Sequence, residues 1–162
     1  MIRHSGNASE SWKNLPWKKF RRDLFRLQRR VFKAIQARNK RKARLLQKLI
    51  LKSKAGRFLA IRQISQLNAG KKTAGIDSVK SLDFNGRFEL EITLKESSGN
   101  WHHQKLREIP ISKKDGTTRM LKIPTIADRC WQCLAKYALE PAHEATFHAR
   151  SYGFRTGVRL VG

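Results

Sequence analysis

Acidic side chains are scarce. Twelve Asp and Glu stand against 36 Lys and Arg in 162 residues, a formal charge of +24. That imbalance excludes an acidic disordered tail. A chain so basic repels itself, so a polyanion is the first partner to consider. Cysteine is also sparse: Cys130 and Cys133 cannot build a disulfide framework, and a cytosol-like compartment is the default. No run nears the roughly 18 apolar residues that a membrane helix needs, and the opening MIRHSGNASESW holds no apolar stretch for a signal peptide. Asp77, Asp83, Asp115, Asp128, Glu140 and Glu144 are scattered, whereas two-cation phosphoryl transfer needs clustered carboxylates. P-loop spacing, a nucleophile elbow and the kinase motifs are missing. His102 and His103 are adjacent and diverge on a helix. The one C-x-x-C has no second Cys/His pair, so core packing explains it better than zinc or redox chemistry. No catalytic and no metal-binding residue is therefore assigned. There is no internal repeat.

Forty per cent of the residues are apolar and 9% aromatic, enough for one compact domain or a small domain with a helical extension. The charge is uneven. Residues 1–67 carry 20 Lys/Arg against Glu10 and Asp23, and residues 68–162 carry 16 against 10 acids. So large an uncompensated excess exceeds what solubility requires and reads as an electrostatic footprint for phosphates.

Residues 1–15 are polar and expected to be loose. From Pro16, Phe20, Leu24, Leu27, Val31 and Ile35 recur at helical steps, with Arg21, Arg22, Arg29 and Arg30 among the cations between them. Asn39 predicts a break. A second helix is expected over about 40–53 with Leu45, Leu46, Leu49 and Ile50 inward, and a third over about 56–67 with Phe58, Leu59, Ile61, Ile64 and Leu67. Such amphipathic helices also suit a membrane surface, but three of them can bury their stripes against one another. Residues 68–81 form a glycine-punctuated loop. There Gly70 and Gly75 allow positive φ or close backbone approach, and Lys71 and Lys72 add donors for a nucleic-acid backbone.

Residues 82–100 fit either a strand or a short helix. REIPI and RMLKIP, around a Lys-Asp-Gly turn, predict a β-hairpin over 107–123, with Pro110 and Pro124 at edge or terminal positions. A helix then follows, capped by Thr125 with Asp128 completing a capping-box-like start. Its buried stripe is Ile126, Cys130, Leu134, Tyr137 and Ala138, and it stops or kinks before Pro141. Glu144 and Phe147 begin a further turn, and SYGFR (151–155) reads as a turn or the start of a strand.

Four segments carry a family resemblance. They are PWKKFRRDLFRLQRRVFKA (16–34), LLQKLILKSKAGRFLAIRQISQLNAGKKTAGID (45–77), REIPISKKDGTTRMLKIPTIADRCWQ (107–132) and ALEPAHEATFHARSYGFR (138–155). In this order and spacing they resemble the N-terminal part of group II intron-encoded reverse transcriptase/maturases, over about residues 12–157. The chain departs from the family at Ser112, where Pro is usual, and at Ser78, where Gly is usual. After SYGFRTG it reads VRLVG and ends.

The resemblance implies a mainly α-helical α+β fold: a basic helical N-terminal extension and partial reverse-transcriptase fingers with a small antiparallel β-hairpin. The implied organisation is a loose 1–15, an N-terminal domain over 16–81, partial fingers over 82–157 and a divergent tail at 158–162. It implies that Lys113 and Arg119 contact a nucleotide triphosphate when a palm is present. It also implies that Arg57, Arg62, Lys71 and Lys72 contact an RNA backbone, and that Arg155, with Tyr152 and Phe154, lies near the fingers–palm junction. Arg21, Arg22, Arg29, Arg30 and Arg155 join the RNA-binding set. The catalytic aspartates of the palm lie downstream in the family, so a truncated chain without polymerase activity of its own is expected. Mg2+ is expected only for the full-length family, with no cofactor here. The expected partner is RNA, specifically group II intron RNA, with no membrane and with oligomeric state left open. The expected location is a bacterial cytoplasm or an organelle, without secretion. Two alternatives remain: the fingers half of a split RNA-directed DNA polymerase working with a separate palm chain, and a basic RNA-binding scaffold protein.

Overall fold

In a computed structural model of the chain, residues 7–146 are described. The elements are helices α1 (Ala8–Lys13), α2 (Trp17–Gln36), α3 (Lys40–Leu51) and α4 (Lys54–Arg62), a π-helical turn (Gln63–Leu67), helix α5 (Phe84–Glu96), strands β1 (Arg107–Ser112) and β2 (Thr118–Ile123), and helix α6 (Ile126–Thr146). Among the described residues this is a mainly α, α+β fold with one two-stranded antiparallel sheet. It divides into two units. Among the described residues, one is formed by 7–15 and 60–132, the other by 16–59 and 133–146. The sequence grouping into 16–81 and 82–157 follows a different line.

In the second unit, the long amphipathic α2 packs on α3. Leu24, Val31, Ala34, Ala43, Leu46, Ile50 and Ala138 form its core, flanked by Leu27, Ile35, Leu51, Leu59, Tyr137 and Ala142. Phe20 stacks on Phe58 at 5.5 Å between centroids, and Trp17 meets both rings edge-on. The α2–α3 link is tight. Arg38 takes φ +55°, Arg38 N–H donates to Ile35 O and Asn39 N–H to Ala34 O, the paired bonds that close a helix C-terminus. The Asn39 side chain then caps α3 by accepting from Lys42 N–H at 3.0 Å. The predicted break at Asn39 is therefore a cap-to-cap joint. Leu45 and Leu49 are not inward: they are 57% and 51% exposed. In ARLLQKLIL (43–51) the buried stripe is Ala43, Leu46 and Ile50, where the small Ala43 permits close approach.

The first unit corrects the expectation for the N-terminus. Residues 8–13 are helical, with Asn7 as cap. Trp12 is 2% exposed, meets Phe88 of α5 edge-on at 5.6 Å, and donates from Nε1 to Gln66 Oε1 at 3.2 Å. The Arg87 guanidinium lies over both Trp12 and Phe84, and burial lowers its pKa against the opposing pull of Asp83. Residues 84–96, open between strand and helix in sequence, are helical. Asp83 caps the helix by accepting from Gly86 N–H, and Leu90 and Leu94 bury one face while Ile92 stays exposed. The expected third helix ends in a π turn, marked by Asn68 N–H reaching back five residues to Gln63 O, and Leu67 is exposed rather than inward.

The hairpin forms over the predicted residues. Its register pairs Arg107 with Ile123, Ile109 with Leu121 and Ile111 with Arg119. Gly116 takes φ +81° in the turn, the conformation glycine supplies in a three-residue hairpin loop. Thr125 Oγ1 caps α6 by accepting from Asp128 N–H. The reciprocal half of the expected capping box is not made, because the buried Asp128 carboxylate turns to Trp101 Nε1 and Gln104 N–H. Helix α6 does not stop at Leu139–Glu140: it runs through Pro141 to Thr146. Phe147 and SYGFR (151–155) lie outside the described residues.

Candidate nucleic-acid interface

Residues 16–59 contain 17 Lys/Arg and a single acid, Asp23. Every one of these cations except Arg57 is exposed. The cause is local. Helix α2 spends its apolar stripe on the core, so its cations have only solvent to face. Lys18, Arg22, Arg26, Arg29 and Lys33 recur at steps of four, four, three and four residues, which places them in one row along the helix. Arg21 and Arg30 are exposed as well. Asp23 meets Lys19 at 3.3 Å and leaves the row unpaired by acids on its own helix. Helix α3 adds Lys40, Arg41, Lys42, Arg44 and Lys48, all exposed. Rows of like charge at such spacing repel, and a chain of phosphates relieves that repulsion while releasing counterions.

Arg57 is not part of this surface. It is 5% exposed and donates from Nη1 to Lys52 O at 2.8 Å, covering a carbonyl at the end of α3. The residue expected from the resemblance to contact an RNA backbone is thus buried, unlike the exposed cations around it. Arg62 is half-buried. Lys71 is half-buried with Nζ donating to Gln66 O at 3.1 Å, while Lys72 is exposed. Arg155 lies outside the described residues.

The loop carrying Lys71 and Lys72 is shaped by close packing. A Cβ on Gly75 would sit 2.7 Å from Thr125 N and Cα, so only glycine fits there. The positive φ in this segment belongs to Ser78 at +60°, not to Gly70 or Gly75. Arg107 Nη1 donates to Ala74 O at 3.1 Å. An open hollow of about 320 Å³ lies beside this bond, lined by Ala74, Gly75, Ile76, Ser78, Lys80 and Arg107.

On the hairpin, cross-strand partners share a face. Ile109, Leu121, Ile111 and Arg119 lie on one face, and Lys113, two residues beyond Ile111, continues it, with its N–H donating to Thr117 O at 2.8 Å. Lys113 and Arg119 are both exposed. The turn between them is held by Asp115, whose carboxylate accepts from the Thr117 hydroxyl and N–H. Those bonds, the hydroxyl's first, hold the Asp115 carboxyl below the usual carboxylate range.

Burial pushes the Cys133 thiol up, against smaller pulls from Tyr137 and Lys136, which suits a packing role. The magnesium ions that the resemblance attaches to the full-length family need converging carboxylates. Among the described residues no three His, Cys, Asp or Glu side chains come together, so they do not fit such ions. No helix among the described residues is long and apolar enough to cross a membrane. Three residues escaped the sequence reading: Arg107, Asp128 as an anchor for the 101–104 segment, and Arg129. Their partners are distant in sequence, so neither periodicity nor local motif marks them.

Residues 12–94 match the family described as the N-terminal domain of reverse transcriptase. Maturase-like protein 1 of Euglena gracilis is 43% identical over 149 residues, covering 92% of this chain and 32% of that protein. Maturase-like protein 1 of Euglena longa is 37% identical over 143 residues, covering 88% of this chain and 31% of that protein. Protein YkfC of Escherichia coli (strain K12) is 35% identical over 96 residues, 57% of this chain and 25% of that protein. The chain thus spans about a third of the length of the curated maturase-like relatives it matches.

Proposed function

This chain belongs to the family of reverse-transcriptase N-terminal domains, and from that premise we propose that it is an RNA-binding N-terminal segment of a group II intron-type reverse transcriptase/maturase. The observation that carries the reading is the exposed cationic surface of residues 16–59, with one acid among 17 Lys/Arg. Its partner is RNA gripped through phosphates, with group II intron RNA as the specific form suggested by the maturase-like relatives. Such contacts position the chain without reading sequence. Filter binding to a structured intron RNA across a salt series tests this. With several phosphates neutralised, affinity falls on the order of 10³-fold between 50 and 200 mM salt. An affinity that stays flat with salt removes the proposal, and equal affinity for intron RNA, generic duplex RNA and DNA favours a scaffold role instead.

A second reading concerns the hairpin. The same-face placement of Lys113 and Arg119 supports a contact with the triphosphate of an incoming nucleotide, two cations sharing one polyphosphate. In that role the hairpin works with a palm, either on the same protein or on a separate chain. Titrating dATP with Mg2+ into the labelled protein should shift backbone amides within 111–119, and the shifts should disappear in K113Q/R119Q. Shifts that persist in that variant exclude the pair.

A further inference from the structure

The loop over residues 68–75 is held by guanidiniums that reach its carbonyl oxygens from elsewhere in its unit. From the first turns of α6, Arg129 donates through Nη1 to Gly70 O at 3.0 Å and through Nη2 to Thr73 O. Its Nε is buried with no hydrogen-bond partner among the described residues, so the hydrogen bonds of this guanidinium there go to the loop carbonyls. Arg107 takes the next carbonyl, Ala74 O. Immediately after it the backbone at Gly75 presses on Thr125, the cap of the same helix. Two local bonds complete the loop, Lys71 N–H to Asn68 O at 3.2 Å and Thr73 N–H to Gly70 O at 3.0 Å. The second lies within the span that Arg129 bridges, the first overlaps its start, and Lys72 is exposed inside that span.

We propose that Arg129 is a positioning residue, a two-pronged latch that ties the glycine loop to the N-terminal end of α6 and so sets where Lys71 and Lys72 are presented to an RNA backbone. The planar fork of a guanidinium spans two carbonyls at once, whereas an ammonium carries the same charge without that geometry. Arg129 therefore acts through shape rather than charge, and Arg129→Lys separates the two. The RNA half of the inference rests on the proposed function above, while the latch itself does not.

The experiment uses the full chain and two readouts. In amide hydrogen exchange, Arg129→Lys should speed exchange at Lys71 and Thr73 by about tenfold, the effect of losing a net hydrogen bond or two, while α2 and α3 keep their protection. In filter binding at 100 mM salt, Arg129→Lys should weaken RNA binding several-fold despite its unchanged charge, and should add nothing further in a Lys72→Gln background. Unchanged exchange at Lys71 and Thr73 overturns the latch. Faster exchange with unaltered RNA affinity, or effects of Arg129→Lys and Lys72→Gln that simply add, overturns the coupling to RNA. If the wild-type chain binds no RNA at all, the functional reading falls and exchange alone decides whether Arg129 holds the loop.

Discussion

Residue by residue, the chain shows that identical side chains take opposite roles according to what surrounds them. Arg57 and Arg22 are both arginines in basic helical runs. One is buried on the Lys52 carbonyl and the other faces water. Periodicity alone does not separate them, because Arg57 turns inward only when a free helix-end carbonyl is within reach. Ser78 is the second instance. It stands where the resembled family usually has glycine, and its φ is +60°. An L-residue held there costs about 1–2 kcal/mol, partly offset because glycine loses more freedom on folding. Ser78→Gly should thus stabilise by about 0.5 kcal/mol, whereas Ser78→Val, β-branched at positive φ, should destabilise by more than about 1 kcal/mol. Urea midpoints read the order Gly, Ser, Val, and a reversed order would show that the residue is not held in that conformation.

Elements were legible where a single pattern had a single solution. Helix α2 shows a continuous apolar stripe over five turns, and its observed bounds begin one residue after the predicted start at Pro16. The hairpin carries its own turn chemistry in Lys114-Asp115-Gly116. Helix α3 was legible as a helix but not in rotation, because LLQKLIL offers two overlapping stripes. Mutational cost distinguishes them. Leu46→Ala should destabilise by about 2–5 kcal/mol, as for a fully buried leucine, while Leu45→Gln should stay within about 0.5 kcal/mol. Equal costs in thermal melts would mean that α3 is turned differently on α2. Helix α1 was not legible at all. Six residues are too few to hold a helix alone, and what holds them is Trp12 against Phe88 and Gln66, partners more than fifty residues away.

For the whole molecule, the dominant quantity is the charge of +24. Self-repulsion opposes compaction in low salt, and a bound polyanion reverses it. RNA at about a hundred times its dissociation constant should stabilise the folded chain by about 2.7 kcal/mol through mass action. The melting midpoint should therefore rise by several degrees at 50 mM salt, with the shift vanishing near 500 mM as phosphate contacts are screened. A shift of the same size at both salt concentrations would point to a contact that is not electrostatic.

The amino-acid sequence by itself determined the mainly helical class, the hairpin, the uneven charge and the family resemblance. The first three follow from composition or from patterns that repeat within a few residues, and the resemblance from the order and spacing of four segments. Tertiary structure alone decided which leucines of α3 are covered, that Arg57 caps a helix end, that Asp128 anchors Trp101 and Gln104, and that Arg129 holds Gly70 and Thr73. Those outcomes depend on which carbonyl, ring or helix face arrives opposite a side chain once distant segments meet, and no local spacing encodes that.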